Sequence, residues 1–393
     1  MLTTRCDLAC AYCTQRRLGP RDMSPETLDA AVDLVAASGH ARPELVLFGG
    51  EPLLAAGLAR RALERLAERA RPGLAPGARV VTNGLRLDDA TIDLLARHDV
   101  ALDLSCDGPG EPQERRGRGS WAVVRALLLR LASGHPAWLA SRVAVRTTVD
   151  SGNVGALASS LEALVGLGVR HVHATPVNTP DPGWDDSSAE ALDVDLGRVA
   201  ESSLGRTDAG GRRAFAPFRP GAAGGGVPGG PSCSLGRPDV LFVDVDGSVA
   251  PCGALADSVH PALPPLAEAI RGPLRGAQVC EAELARSLRR RADAASRLPS
   301  LRGSPARRSP RGGCASCDVR DECFVCPAAV AVAPDQDPDL VPAISCDWNR
   351  LVARHRREFL ARGAARRDDA QRADRSSSAA ETSAVTPVRI AGS

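Results

Sequence analysis

Three cysteines, Cys6, Cys10 and Cys13, stand in the stretch "RCDLACAYC", separated by three and two residues. Thiolates bind soft metals, and three on one loop leave one position of a tetrahedral ion or of a cubane cluster without a protein ligand. An open position is a reactive one, as it is for catalytic zinc. Spacing alone leaves a three-thiolate zinc site and an iron–sulfur cluster with one open iron both standing. A second set lies far downstream: Cys233, Cys252, Cys280, Cys314, Cys317, Cys323, Cys326 and Cys346. Its C-x2-C-x5-C run at Cys314, Cys317 and Cys323 could bind zinc by itself. Cys106 stands alone at the end of an apolar run and reads as a buried, inert thiol.

The elements that must position the first loop repeat along the chain. "SPETLDAAVDLVAASG" has Ser24 as N-cap, Pro25 at the first helical position and Gly39 as a stop. Strand-like runs "ELVLF", "ARVVT", "VALDLS", "RVAVRTTV" and "RHVHATPV" alternate with helical patterns such as "LAAGLARRALERLAERA" and "VGALASSLEALVGLG". Five strands, each led to by a helix over a short connection, predict right-handed βαβ units and a parallel sheet, hence an α/β fold. His171 and His173 share one face of the last strand by period-two alternation. Only "MLTTR" precedes Cys6, so the first strand of the series is short or missing, and we expect the natural chain to begin upstream of Met1.

From about residue 178 to 232 the pattern dissolves into Pro, Gly, Asp and Ser, which predicts a linker over 181–232. Residues 233–350 hold eight of the twelve cysteines and little apolar sequence, so metal is expected to organise this part. A short helix and a disordered tail are expected over 351–393. All 49 basic residues are arginine, which excludes Schiff-base and P-loop lysines. The net charge of +2 gives no electrostatic argument for nucleic acid. No apolar run is long enough for a membrane span, and no signal peptide is visible. A cytosolic protein with reduced thiols follows, in which so many cysteines point to metal or redox chemistry.

The C-x3-C-x2-C spacing, with Tyr12 before the last cysteine, resembles the radical S-adenosylmethionine (SAM) enzymes. That resemblance implies a partial (β/α)6 TIM-like barrel over residues 1–180 and a 4Fe–4S cluster on Cys6, Cys10 and Cys13. The amino and carboxylate groups of S-adenosylmethionine would complete it. "FGGEP" matches the family segment that meets the methionine amino group, giving Gly49, Gly50 and Glu51 as cofactor residues. The strand ends "TNG", "SCDG" and "RTTV" add Asn83, Ser105, Asp107 and Arg146. Arg116, with Arg115 as its rival, matches the family arginine at the cofactor carboxylate. Ligands gathering beyond the carboxyl ends of parallel strands make these positions consistent with one another.

The C-terminal half resembles a SPASM domain, the extension that carries two auxiliary 4Fe–4S clusters. The run "LFVDVDGSVAPC" reads as a hairpin with an Asp-Gly turn, followed by the cysteine run. Carried over, Cys314, Cys317, Cys323 and Cys346 hold an outer cluster, and Cys233, Cys252 and Cys326 an inner one. The inner cluster then has an open iron or takes Cys280, with Cys280 weighed as the non-ligand. The gap before Cys326 is one residue shorter than in relatives, and one customary inner cysteine is absent.

The resemblance implies reductive cleavage of S-adenosylmethionine to methionine and a 5′-deoxyadenosyl radical, which abstracts hydrogen from substrate. Peptide or protein substrates predominate among SPASM enzymes, so a maturase of ribosomally made peptides is the first expectation. A dehydrogenase of small molecules or carbohydrates is the second. Sulfatase maturases usually carry an Asp after the hairpin cysteine, where this chain has Gly253. The implied partners are a flavodoxin or ferredoxin as electron donor and a separate leader-peptide-binding protein. A non-catalytic electron carrier and a zinc-binding scaffold remain the readings from a different class.

Overall fold

In a computed structural model, residues 1–13, 15, 19–203, 214–219, 240–259, 263–280, 284, 306–333, 335, 337 and 339–383 are described. Five parallel strands form one sheet in consecutive order: β1 (Glu44–Leu47), β2 (Gly77–Thr82), β3 (Ala101–Ser105), β4 (Val143–Val149) and β5 (Val172–Pro176). Around them run α1 (Pro25–Ala36), α2 (Ala56–Glu68), α3 (Asp89–Arg97), α4 (Glu111–Glu114), α5 (Ser120–Gly134), α6 (Pro136–Arg142), α7 (Leu157–Gly166) and α8 (Asp186–Ser203). Neighbouring strands are consecutive in sequence, which is the arrangement of an open barrel wall rather than a doubly wound sheet. The expected cap of α1 is present, with Ser24 Oγ accepting the Thr27 N–H at 3.1 Å.

Alternation sorts each strand into two faces. Leu47, Val80, Leu102, Leu104, Val143, Val145 and Val172 are nearly or fully buried against the helices. The opposite face carries a charged row. Arg79 pairs with Glu44 at 3.1 Å and with Asp103 at 2.9 Å, and Arg146 meets Asp103 at 2.9 Å. His173 continues the row on β5, in register with Arg146.

The short first strand is seen as a stub. The Leu2 N–H donates to Phe48 O at 2.8 Å, and the Gly50 and Glu51 N–H groups donate to Thr3 O and Arg5 O at 2.9 and 2.7 Å. On the other side, the Thr4 N–H donates to Arg21 O at 2.9 Å. Residues 2–5 are thereby held between the end of β1 and residues 21–23.

Two expectations are corrected. The linker predicted over 181–232 begins with α8, where Leu192, Leu196, Val199 and Ala200 are fully buried at helical spacing. Its Asp, Ser and Gly residues, among them the buried Asp195, which accepts the Ala158 N–H, masked the stripe. The rest of that segment lies mostly outside the described residues, as does Cys233. Of the expected disordered tail, residues 384–393 lie outside the described residues, and the part up to residue 383 is instead the end of a helix, Ala343–Ser383. Its Ala- and Arg-rich composition favours helix, and polarity alone does not separate a solvated helix from coil. α6 was not foreseen either; Pro136 starts it and Trp138 anchors it through Nε1 to Val100 O at 2.9 Å.

The C-terminal part opens with the hairpin β6 (Phe242–Val243) and β7 (Val249–Ala250), continues with α9 (Pro265–Arg271), and adds a second hairpin, β8 (Arg308–Ser309) and β9 (Gly312–Gly313). It ends with α10 (Pro327–Ala331) and α11 (Ala343–Ser383). Polar bonds fix α11 to the α8 region: Trp184 Nε1 donates to Asp347 Oδ2 at 3.0 Å, and Arg311, in the β8–β9 turn, bridges Asp347 at 2.8 Å and Asp186 of α8.

Candidate functional site

The cysteine loop crosses the carboxyl ends of the strands and is tied there by its backbone. The Ala9 and Ala11 N–H groups donate to Arg116 O and Arg115 O at 3.2 and 3.1 Å. Cys10 is buried, Cys13 half-buried and Cys6 exposed. Burial pushes the Cys6 and Cys10 thiols up, with Arg116 acting in the other direction at Cys10. A metal bound here therefore has to displace protons.

Tyr12, inside the loop, donates to Asp107 Oδ2 at 2.6 Å and accepts from Arg116 Nη1. Arg116 also lies 3.6 Å from Asp107 and over the Tyr12 ring. Asp107 is almost fully buried, and burial raises its carboxyl above the usual range although Arg116, Tyr12 and the Thr148 N–H oppose the shift. Gln113 holds the Asp107 backbone by accepting its N–H at 2.9 Å. Of the two neighbouring arginines, Arg116 is the one at the loop; Arg115 pairs with Asp150 at 2.5 Å.

Glu51 and Asn83 form a second knot. Glu51 is fully buried and accepts from Leu53 N–H, Thr82 Oγ1 and Asn83 N–H at 3.0, 2.7 and 2.8 Å. Asn83 Nδ2 in turn donates to Asp7 Oδ1, between Cys6 and Cys10, at 2.7 Å. Gly49 and Gly50 owe their identity to the stub: a Cβ on Gly49 would stand 2.6 Å from Thr3 O, and one on Gly50 would overlap Arg5 O. Asp7, Gln113 and Thr82 were missed in the sequence. Of these only Asp7, set between two of the cysteines, carried a visible signal.

Ser105 ends β3 opposite Arg146 on β4, and Arg146 is engaged with Asp103 on the charged face. His173 faces Arg146, Arg219, Asp103 and His171; burial and the nearby arginines pull it down to about 4. His171 lies outside the strand, its Nε2 3.1 Å from Ala140 O. Cys106 is fully buried and pushed by burial up to about 12, as an inert thiol should be.

The described C-terminal cysteines fall into two groups. Cys252 and Cys326 pack with one apolar cluster around Leu255 and Ala328. Cys314, Cys323 and Cys346 pack with another around Val325 and Val341, and Cys317 lies close enough to act on Cys323. Cys280 is exposed.

The residues at the first loop suit a bound anion. Arg116 Nε and Gln113 Nε2 are buried donors with no hydrogen-bond partner among the described residues. The loop beside them carries the three thiols of Cys6, Cys10 and Cys13.

Residues 1–137 match the Radical SAM superfamily. No curated protein matches the sequence. Among solved structures, anSMEcpe with bound AdoMet and Kp18Cys peptide is similar, with a TM-score of 0.68 and 16% identity over 92% of this chain and 97% of that one. SuiB of Streptococcus suis bound to S-adenosylmethionine has a TM-score of 0.53 and 11% identity, covering 88% and 75% of the two chains. SuiB bound to its precursor peptide SuiA has a TM-score of 0.50 and 12% identity over 88% and 74%. The match confined to residues 1–137 is to the Radical SAM superfamily, whose members use a 4Fe–4S cluster and S-adenosylmethionine, and the similar solved structures share the fold of the chain.

Proposed function

We propose that the protein is a SPASM-type maturase that acts on a ribosomally made peptide. The observation that carries this reading is the joining of the cysteine loop to the buried Tyr12–Asp107–Arg116 cluster at the strand ends. Cys6, Cys10 and Cys13 would hold the cluster, and Arg116 would meet the carboxylate of S-adenosylmethionine. When bound, these groups supply reductive cleavage of the sulfonium and a hydrogen-abstracting radical. The chain's own contribution is positional. Asp107 and Arg116 fix the Tyr12 ring, Glu51 fixes the loop ends 51–53 and 82–83, and Asn83 holds Asp7 within the cysteine loop. The charged row below them replaces bulk water with fixed dipoles on the substrate side.

A peptide substrate is supported by two relatives of the same fold seen with peptides bound, Kp18Cys and SuiA. The sulfatase-maturase branch is disfavoured locally. Position 253 is glycine, and a Cβ there would lie 2.8 Å from the Phe242 ring, so an aspartate would require that ring to shift. The two C-terminal thiol groups support auxiliary clusters, the outer on Cys314, Cys317, Cys323 and Cys346, the inner on Cys233, Cys252 and Cys326. Electrons would come from a flavodoxin or ferredoxin, and leader recognition from a separate protein. No helix among the described residues is long and apolar enough to cross a membrane, and we place the protein in the cytosol. The test is to incubate the reconstituted chain, anaerobically with dithionite and S-adenosylmethionine, with short peptides encoded beside its gene. A mass change on one peptide that depends on S-adenosylmethionine is expected; cofactor cleavage without change on any peptide contradicts the peptide assignment.

A further inference from the structure

Arg307 is buried, 5% exposed, and no carboxylate pairs with it among the described residues. A guanidinium cannot shed its proton, so taken out of water it requires an anion. Its Nη2 lies 4.0 Å from Cys323 Sγ. The hairpin β8–β9 explains the aim. The Cys314 N–H donates to Arg307 O at 3.0 Å, which sets the start of β8 beside the first cysteine of the run. Along β8 the side chains alternate. Arg308 turns outward to Asp337 at 2.6 Å, while Ser309 turns back inward and its Oγ lies 3.1 Å from Cys346 Sγ. Arg307 and Ser309 thus reach two different cysteines of one group from a single strand face.

We propose that Arg307 is the counter-cation, and Ser309 the hydrogen-bond donor, that set the reduction potential of the cluster held by Cys314, Cys317, Cys323 and Cys346. This rests on the reading of those four cysteines as cluster ligands. A cluster with four thiolate ligands is anionic and gains a further negative charge on reduction. A fixed buried cation and a hydroxyl donor at its sulfurs favour the reduced form and raise the potential.

The test is an EPR-monitored redox titration of the full chain after anaerobic reconstitution, with iron and zinc measured on each sample. Arg307→Gln is expected to move one reductive wave to more negative potential, leave the others in place and keep the iron content. Arg307→Lys should stay near the unsubstituted protein, and Ser309→Ala should move the same wave in the same direction by less. Loss of cluster iron in Arg307→Gln but not in Arg307→Lys also supports the charge role. Unchanged waves at full iron content, or equal iron loss in both arginine variants, overturn it. Unsubstituted protein with zinc in place of C-terminal iron instead refutes the cluster reading beneath the proposal, and the proposal falls with it.

Discussion

The side chains that hold the cysteine loop do so as acceptors shared among several donors, and Glu51 is the clearest. It gathers one hydroxyl and two backbone N–H groups in a fully buried place. Glu51→Ala leaves all three without an acceptor. Each buried donor stranded in this way costs about 1–3 kcal/mol, so a loss of roughly 3 kcal/mol or more is expected in urea denaturation. A loss below about 1 kcal/mol would show that water replaces the carboxylate. The cysteine spacing stood out in the sequence by residue type, and the resemblance singled out the GGEP segment and Arg116, which the structure brings to the cysteine loop. That Glu51 is consumed by backbone and hydroxyl donors was not legible there, because two of its three partners, Thr82 and Asn83, lie more than thirty residues away. His173 shows the same limit: its face followed from alternation, its environment did not. Its folded value is about 4, held down by burial first and then by Arg146 and Arg219, against an ordinary value of about 6.5. Between those values the unfolded chain binds a proton that the folded one refuses. Stability therefore falls as pH drops from about 6.5 to about 4, and His173→Gln should flatten that part of the profile. An equal slope in the variant would contradict the assignment.

Among elements, the stub of residues 2–5 sets the geometry of the loop that follows it. Its backbone lies against Gly49 and Gly50, so the loop's approach angle depends on the absence of two Cβ atoms. Gly50→Ala should cut cofactor cleavage by about tenfold or more, an expectation from the size of misplacement effects in positioned sites. Far-UV circular dichroism and C-terminal iron should be unchanged. Cleavage at the normal rate would mean that the stub gives way without moving the cysteines. The five strands were legible because each is an apolar run between turn signals. α8 was not, since Asp193 and Asp195 interrupt its apolar stripe; in the structure Asp195 accepts the Ala158 N–H at 2.7 Å, and Asp193 takes His355 at 2.6 Å. These acids join helices, and a composition reading took them for linker.

At the scale of the whole molecule, one parallel half-barrel carries the loop of Cys6, Cys10 and Cys13, and a cysteine-rich part carries two further thiol groups, joined by α8 and α11. Three 4Fe–4S clusters give about twelve irons per chain. Reconstituted protein holding only about four would assign the C-terminal cysteines to zinc or to free thiols. The central claim, that the loop at Cys6, Cys10 and Cys13 is where S-adenosylmethionine is cleaved, has a more direct test. 5′-Deoxyadenosine is measured after anaerobic incubation with dithionite, for the full chain and for the variant with all three cysteines changed to Ala. The account predicts formation by the full chain and none by the variant, which should keep its C-terminal iron; 5′-deoxyadenosine from the variant would contradict it.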